Sequence, residues 1–210
     1  MVFGIEHIRH EINTVYKECN ITSFPLDIFN VYETYGIKLI TYNDIRLSSY
    51  ELYEYCLRFS DDAFNYGGTV YYNSEKPIKR IRFSLAHELA HIVLEHSKND
   101  FIEENEANSF ASNFLAPRMA IHYSKCKNEN DVAKNFNITN QASRIAFNDY
   151  KNWHRNVIYK KMSPADKELY SHFYIEECNM FVYKISECNK CKNTLYNSIS
   201  SKCDDCASRD

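Results

Sequence analysis

Two groups of residues in this chain have the types and spacing of metal ligands. The string His87-Glu88-Leu89-Ala90-His91 sets two imidazoles four positions apart. On a helix they lie about 40° and one turn from each other, so both can meet one ion, while Glu88 sits about 100° round, beside that ion. A carboxylate in that position can take a proton from water at a divalent cation, which is the chemistry of zinc-assisted hydrolysis. The second group is Cys188-x-x-Cys191 and Cys203-x-x-Cys206, with eleven residues between the pairs. Each pair can form a turn presenting two sulfurs to one tetrahedral structural zinc, the pattern of a four-cysteine zinc ribbon.

The first group needs a helix. Ser84 reads as its N-cap, and Leu85, Ala86, Leu89, Ala90, Ile92, Val93 and Leu94 make residues 84–95 apolar on most sides. Such a helix is buried, where two His and a Glu are costly unless paired or coordinated. A catalytic zinc takes a third protein ligand and keeps one position for water. A second helix, over 103–115, carries an apolar stripe at 107, 110, 111, 114 and 115. Glu106 borders that stripe and could face the first helix; Glu103, one turn earlier, is the alternative; Glu104 falls on the outer face.

Around these helices the patterning predicts a helix over 6–18, a second from Pro25 to Gly36, strands over 37–42 and 52–59, and a hairpin or bulged edge strand over 63–73. Two short helices are expected within 131–150 and another over 163–178. The fold class is therefore α+β. The expected units are 1–125, a helical segment over 126–180, and the zinc ribbon over 186–210.

The strings Arg82-Phe83-Ser84-Leu85-Ala86-His87-Glu88-Leu89-Ala90-His91, Glu106-Ala107-Asn108-Ser109-Phe110-Ala111 and Leu115-Ala116-Pro117 closely resemble the ImmA/IrrE family of metallopeptidases, over roughly residues 20–150. The resemblance implies a zincin-like core, a small mixed sheet packed on the active-site helix pair. It carries the zinc ligands onto His87, His91 and Glu106, with Glu88 as general base. It also implies a protein substrate, a helix-turn-helix repressor of a mobile element or stress response, whose cleavage relieves repression. A second oxyanion donor is expected among Tyr72, His96, His122 and Tyr123. Residues 68–73, with Tyr72 and Asn73, could be an edge strand pairing with extended substrate or an internal strand of the sheet.

Residues 131–147 resemble the helix-turn-helix-like piece that follows the catalytic helices in that family. The second helix offers little beyond Gln141 and Arg144, so packing or protein docking is expected ahead of DNA contact. Shorter relatives lack a ribbon; its charges nearly balance, so protein binding is at least as favoured there as nucleic acid. The competing function class is a non-proteolytic, antitoxin-like regulator that binds DNA or protein on a peptidase scaffold.

A net charge of −3 excludes wholesale electrostatic attraction to nucleic acid. No apolar run is long enough to span a bilayer, and the first residues lack a secretory pattern, so the expected compartment is the cytoplasm. A reducing compartment favours metal over disulfides for the paired cysteines. Cys19, Cys56, Cys126 and Cys178 read as small apolar fillers.

Overall fold

The computed structural model describes residues 4–98, 100–157 and 162–208. Residues 1–3, within the expected first unit, and 209–210, within the expected ribbon, lie outside the described residues.

The small sheet has three strands, β1 (Lys38–Thr41), β2 (Ala63–Tyr66) and β3 (Thr69–Tyr72), in the order β1-β3-β2. β1 runs parallel to β3 and β2 antiparallel to it, so the sheet is mixed. Gly67 and Gly68 both have positive φ, +59° and +77°, which is what a two-residue type I′ hairpin requires. β3 is the central strand, so the edge-strand reading of residues 68–73 does not hold. Its Val70 is fully buried, and its backbone bonds are taken on both sides. β1 and β2 form the edges.

Before the sheet come α1 (Ile5–Glu18) and α2 (Ile28–Thr34); between β1 and β2 lie α3 (Tyr42–Ser48) and α4 (Tyr50–Phe59). The strand expected at 52–59 is therefore a helix. Ser49 caps it by accepting from the Leu52 amide, and Tyr53, Cys56 and Leu57 follow a helical period onto Tyr42, Ile45 and Phe64. Residues 50–59 contain no β-branched side chain, so nothing opposes that period.

The helix pair is α5 (Ile78–Val93) and α6 (Phe101–Leu115), packed on each other, with α5 also resting on β2 and β3. α5 begins after Pro77, six residues earlier than Ser84, which lies inside the helix and is not its cap. The buried alanines 86, 90, 107 and 111 allow the two axes a close approach. Two tyrosines brace the pair: Tyr32 donates to the Leu85 carbonyl at 2.7 Å and Tyr16 to the Phe114 carbonyl at 2.6 Å.

Then follow α7 (Arg118–Tyr123), α8 (Glu129–Asn135), α9 (Asn140–Val157) and α10 (Pro164–Phe173). The helix expected to reach 178 stops at Phe173, giving way to a short antiparallel pair, β4 (Tyr174–Ile175) with β5 (Met180–Phe181). Arg118 makes a bidentate pair with Asp166, and Trp153 donates to the same carboxylate at 2.9 Å. All three side chains are buried, and losing either charge from such a pair costs about 3–5 kcal/mol, so α7, α9 and α10 are held together here. The α8–α9 turn is buried against α5, whose Arg82 donates to the carbonyls of Asn137 and Leu26.

The C-terminal hairpin is β6 (Ile185–Glu187) with β7 (Thr194–Tyr196), followed by α11 (Asp204–Ala207). It is tied to the body where Ile185 donates to the Ser23 hydroxyl at 2.9 Å and Phe24 to the Tyr183 carbonyl at 2.8 Å. Cys19, Cys56 and Cys126 are buried and Cys178 half-buried, as small apolar fillers would be. No described helix is long and apolar enough to cross a membrane.

Candidate active site

α5 ends in a Schellman turn that sets the orientation of the site. Glu95 takes a left-handed φ of 53°, its amide bonds to the Ile92 carbonyl, and the His96 amide bonds to the His91 carbonyl at 3.0 Å. This turn folds His96 back beneath His91, so their Nδ1 atoms lie 3.0 Å apart. The loop then crosses to α6, where Asp100 caps the new helix by accepting from Ile102 and Glu103.

His87 and His91 meet as the four-residue spacing requires, with Nε2 atoms 3.1 Å apart. The carboxylate that joins them belongs to Glu104, 3.3 Å from His87 Nε2 and 3.4 Å from His91 Nε2. The assignment of Glu106 to this position is therefore corrected. Glu106 lies behind the site and accepts from His96 Nε2 at 3.2 Å. Glu103, the alternative, accepts the amides of Ser97 and Lys98 and so tethers the crossing loop. The signal for Glu104 is present in the sequence: 104, 107, 111 and 115 continue one i, i+3, i+7, i+11 ladder, so Glu104 extends the apolar stripe towards the partner helix. Glu106 is buried by a different feature, the returning loop.

The ring protons can be assigned from these contacts. A carboxylate only accepts, so His96 Nε2 donates to Glu106; in the arrangement with all three rings neutral, His96 Nδ1 then accepts from His91 Nδ1–H. His87 Nδ1 likewise faces Asn108 Oδ1 at 3.2 Å and donates to it. Both Nε2 atoms then present lone pairs, and they face the two oxygens of the Glu104 carboxylate with no proton among them. Burial lowers His87, and lowers His91 to about 4, so the rings are neutral near pH 7 and no ion pair with Glu104 explains the arrangement. Three converging acceptors repel unless a cation lies between them. Ligand atoms on a tetrahedral zinc with bonds of about 2.0–2.1 Å stand about 3.3 Å apart, close to the Nε2–Nε2 separation and to the distance from each ring to its nearer Glu104 oxygen, Oε2 for His87 and Oε1 for His91. The residues fit zinc.

Glu88 shares a cavity of about 590 Å³ with His87, His91 and Glu104. Burial pushes its carboxyl up to about 7; the Asn65 backbone amide opposes that rise and Glu104 adds to it. Asn65 belongs to β2, so the strand bordering the cavity is that edge and not β3. Tyr72 and Asn73 do not line the cavity. Tyr72 packs on Phe29, and Asn73 organises a turn by donating to the Asp61 carbonyl. Of the four expected oxyanion donors only His96 lines it. His122 and Tyr123 pack among the aromatic side chains around Tyr150, Trp153 and Phe181.

The four paired cysteines form the second site. Among the described residues, two groups of at least three ligand atoms lie within 4.8 Å of one another: Cys188, Cys191, Cys203 and Cys206, and His87, His91 and Glu104. Cys191 and Cys203 sulfurs are 3.7 Å apart, the separation that zinc–sulfur bonds of about 2.3 Å produce in a tetrahedron. Backbone amides of Cys191, Cys203 and Lys190 point at the Cys188 sulfur and lower its thiol to about 6, favouring the thiolate that a metal takes.

Comparison with known proteins adds the family. No curated protein matches the chain. The profile of the Peptidase_M78 family, the IrrE N-terminal-like domain, matches residues 40–150, which include the end of β1, β2 and β3, the helix pair and the first part of α9. Because that match spans more than half of the 210 residues, the chain belongs to the IrrE N-terminal-like family of metallopeptidases.

Proposed function

We propose that the chain is a zinc-dependent endopeptidase acting in the cytoplasm on a regulatory protein, a helix-turn-helix repressor whose cleavage relieves repression. His87, His91 and Glu104 would hold the catalytic zinc, and the four cysteines a structural one. The observation that carries this reading is the convergence of two proton-free Nε2 atoms and a carboxylate beside Glu88 in one open cavity.

A bound zinc acidifies water and polarises a carbonyl. The protein's own part is the positioning. Asn108 and the His96–Glu106 pair hold the two imidazoles by their Nδ1 atoms, so neither ring can turn its Nε2 away. Glu88, held beside the Asn65 amide, accepts the proton of the attacking water and can return it to the leaving amine. The free edge of β2 borders the cavity and can pair with an extended substrate chain.

The test is co-expression of the chain, or its Glu88→Gln variant, with the candidate repressor, followed by mass spectrometry of the repressor. The parent chain should yield truncated repressor. Glu88→Gln should keep its zinc and lose about 100- to 10,000-fold in rate. Undiminished cleavage by a zinc-loaded Glu88→Gln chain would remove Glu88 from the mechanism, and an intact repressor beside the parent chain would remove this substrate.

A further inference from the structure

A second concavity, about 760 Å³, opens beside the catalytic cavity and shares Asp62, Phe83, Ser84 and Asn108 with it. Its floor is the face of α6 opposite the apolar stripe, bearing Asn105, Asn108, Ser109, Ser112 and Asn113. Its far wall is the first half of α9, the second helix of the helix-turn-helix-like segment.

Three observations say what it takes. First, the floor is neutral and polar, and parts of it are uncommitted. Asn105 and Asn113 each donate one amide hydrogen to the carbonyls of Phe101 and Ser109, four residues back, which leaves each side-chain oxygen available. Ser112 is only 3% exposed, and its hydroxyl has no hydrogen-bond partner among the described residues. That oxygen lies beneath the floor, out of contact with solvent, so the bonding groups the groove offers an occupant are the Asn105 and Asn113 side chains and the Ser109 hydroxyl. Second, the walls carry unpartnered apolar side chains: Ile145, 53% exposed on α9, and Ile5 on α1. Third, the groove offers no cation to a phosphate. Arg80, its sole lining cation among the described residues, is held bidentate by Asp62 at 2.5 and 2.8 Å. Nucleic acid is poorly served by such a surface. A polypeptide in extended form is well served, since main-chain amides meet amide and hydroxyl groups while alternate side chains meet isoleucine.

We propose that this groove holds the arm of the substrate polypeptide on one side of the scissile bond, with α6 bonding its main chain and α9 acting as the opposite wall. From Asn105 to Asn113 a helix rises about 12 Å, the length of roughly four extended residues. The helix-turn-helix-like segment thereby acquires a role in peptide binding. This proposal rests on the peptidase reading for the identity of its occupant, and the experiment separates the two.

The probes are fluorescein-labelled random-sequence peptides of six and of fourteen residues, titrated by anisotropy against the zinc-loaded full chain carrying Glu88→Gln. The fourteen-residue pool should bind about tenfold more tightly than the six-residue pool, because only it can fill the groove and the catalytic cavity together. Adding Ile145→Lys or Ser109→Arg, each checked for an unchanged melting temperature, should bring the longer pool down to the affinity of the shorter. Leu47→Lys, on the exposed side of α3, should leave the difference intact. Equal binding of the longer pool to the parent and to both groove variants overturns the proposal. Hydrolysis by the Glu88 chain is read separately on both pools. If the groove variants behave as expected and neither pool is cut, the groove stands as a peptide-binding surface, while the peptidase reading and the identity of the occupant as substrate fall. If both pools are cut at equal rates and the groove variants change nothing, the peptidase stands and the groove falls.

Discussion

The helix-borne site and the cysteine site are both suited to zinc, yet they are built in opposite ways. The four sulfurs come from two turns within nineteen positions of chain, 188 to 206, and local backbone amides hold them. The His–His–Glu site would draw two ligands from one helix and the third from another, with Asn108 of the second helix and His96 of the loop between them orienting the two rings. The cysteine site would surround an ion with four ligands. The other leaves a side open to a cavity. A closed local site contributes to folding, whereas an open site assembled by packing depends on a fold that already stands.

That contrast can be broken most severely at the ribbon. Chelating the metal should unfold residues 185–208 and leave the body folded, since structural zinc supplies apparent binding free energies of about 10–16 kcal/mol to such small modules. Hydrogen exchange with and without chelator would show it. Persistent protection of the β6–β7 amides in the metal-free chain would mean that the hairpin stands on its own contacts.

Next in size is the exchange of roles between two glutamates. Glu104→Ala should weaken zinc binding at the helix site by more than about 100-fold, as a lost ligand outweighs the 10–100-fold typical of an outer partner. Glu106→Gln should weaken it only within that lower range. Competition with a chromophoric chelator measures both, and a larger loss at Glu106 than at Glu104 would restore the expectation drawn from the sequence. His96→Phe removes the acceptor of the His91 ring proton without touching a proposed ligand. It should cost about tenfold in affinity and release the His91 tautomer, visible in long-range nitrogen–proton correlation spectra of the metal-free protein.

The smallest effect lies far from either site. Glu168 is raised by burial, but hydrogen bonds from Lys17, His10 and Asn13 outweigh that and hold its carboxyl down at about 2. Its folded value is below its ordinary one near 4.5, so its contribution is complete above that pH and is lost as the pH falls towards 2. Glu168→Gln should lower stability by about 1 kcal/mol at pH 7 and by progressively less in acid. Urea titrations at pH 7 and pH 3 would check the sign; a variant equally destabilised at both would show packing and not charge to be responsible.

Much of this molecule is legible in one dimension. The four-residue spacing of His87 and His91, the paired cysteines and the two glycines of the hairpin each act through a few bonds of backbone, so type and spacing suffice. α4 reads as a strand because its aromatic residues suit either element, and its period and Ser49 cap decide for the helix. The third ligand is ambiguous in sequence because three glutamates stand within one turn of α6. Which of them meets the histidines depends on how α6 is rotated against α5 and where the loop through His96 returns, and both are set by packing between distant residues. The same holds for β2 as the edge at the cavity and for α9 as the wall of a groove. The sequence alone determined what kinds of ligand and which local turns the chain carries; only the tertiary structure decided which carboxylate, strand and helix face each other, because those choices are made by long-range contacts that no local period encodes.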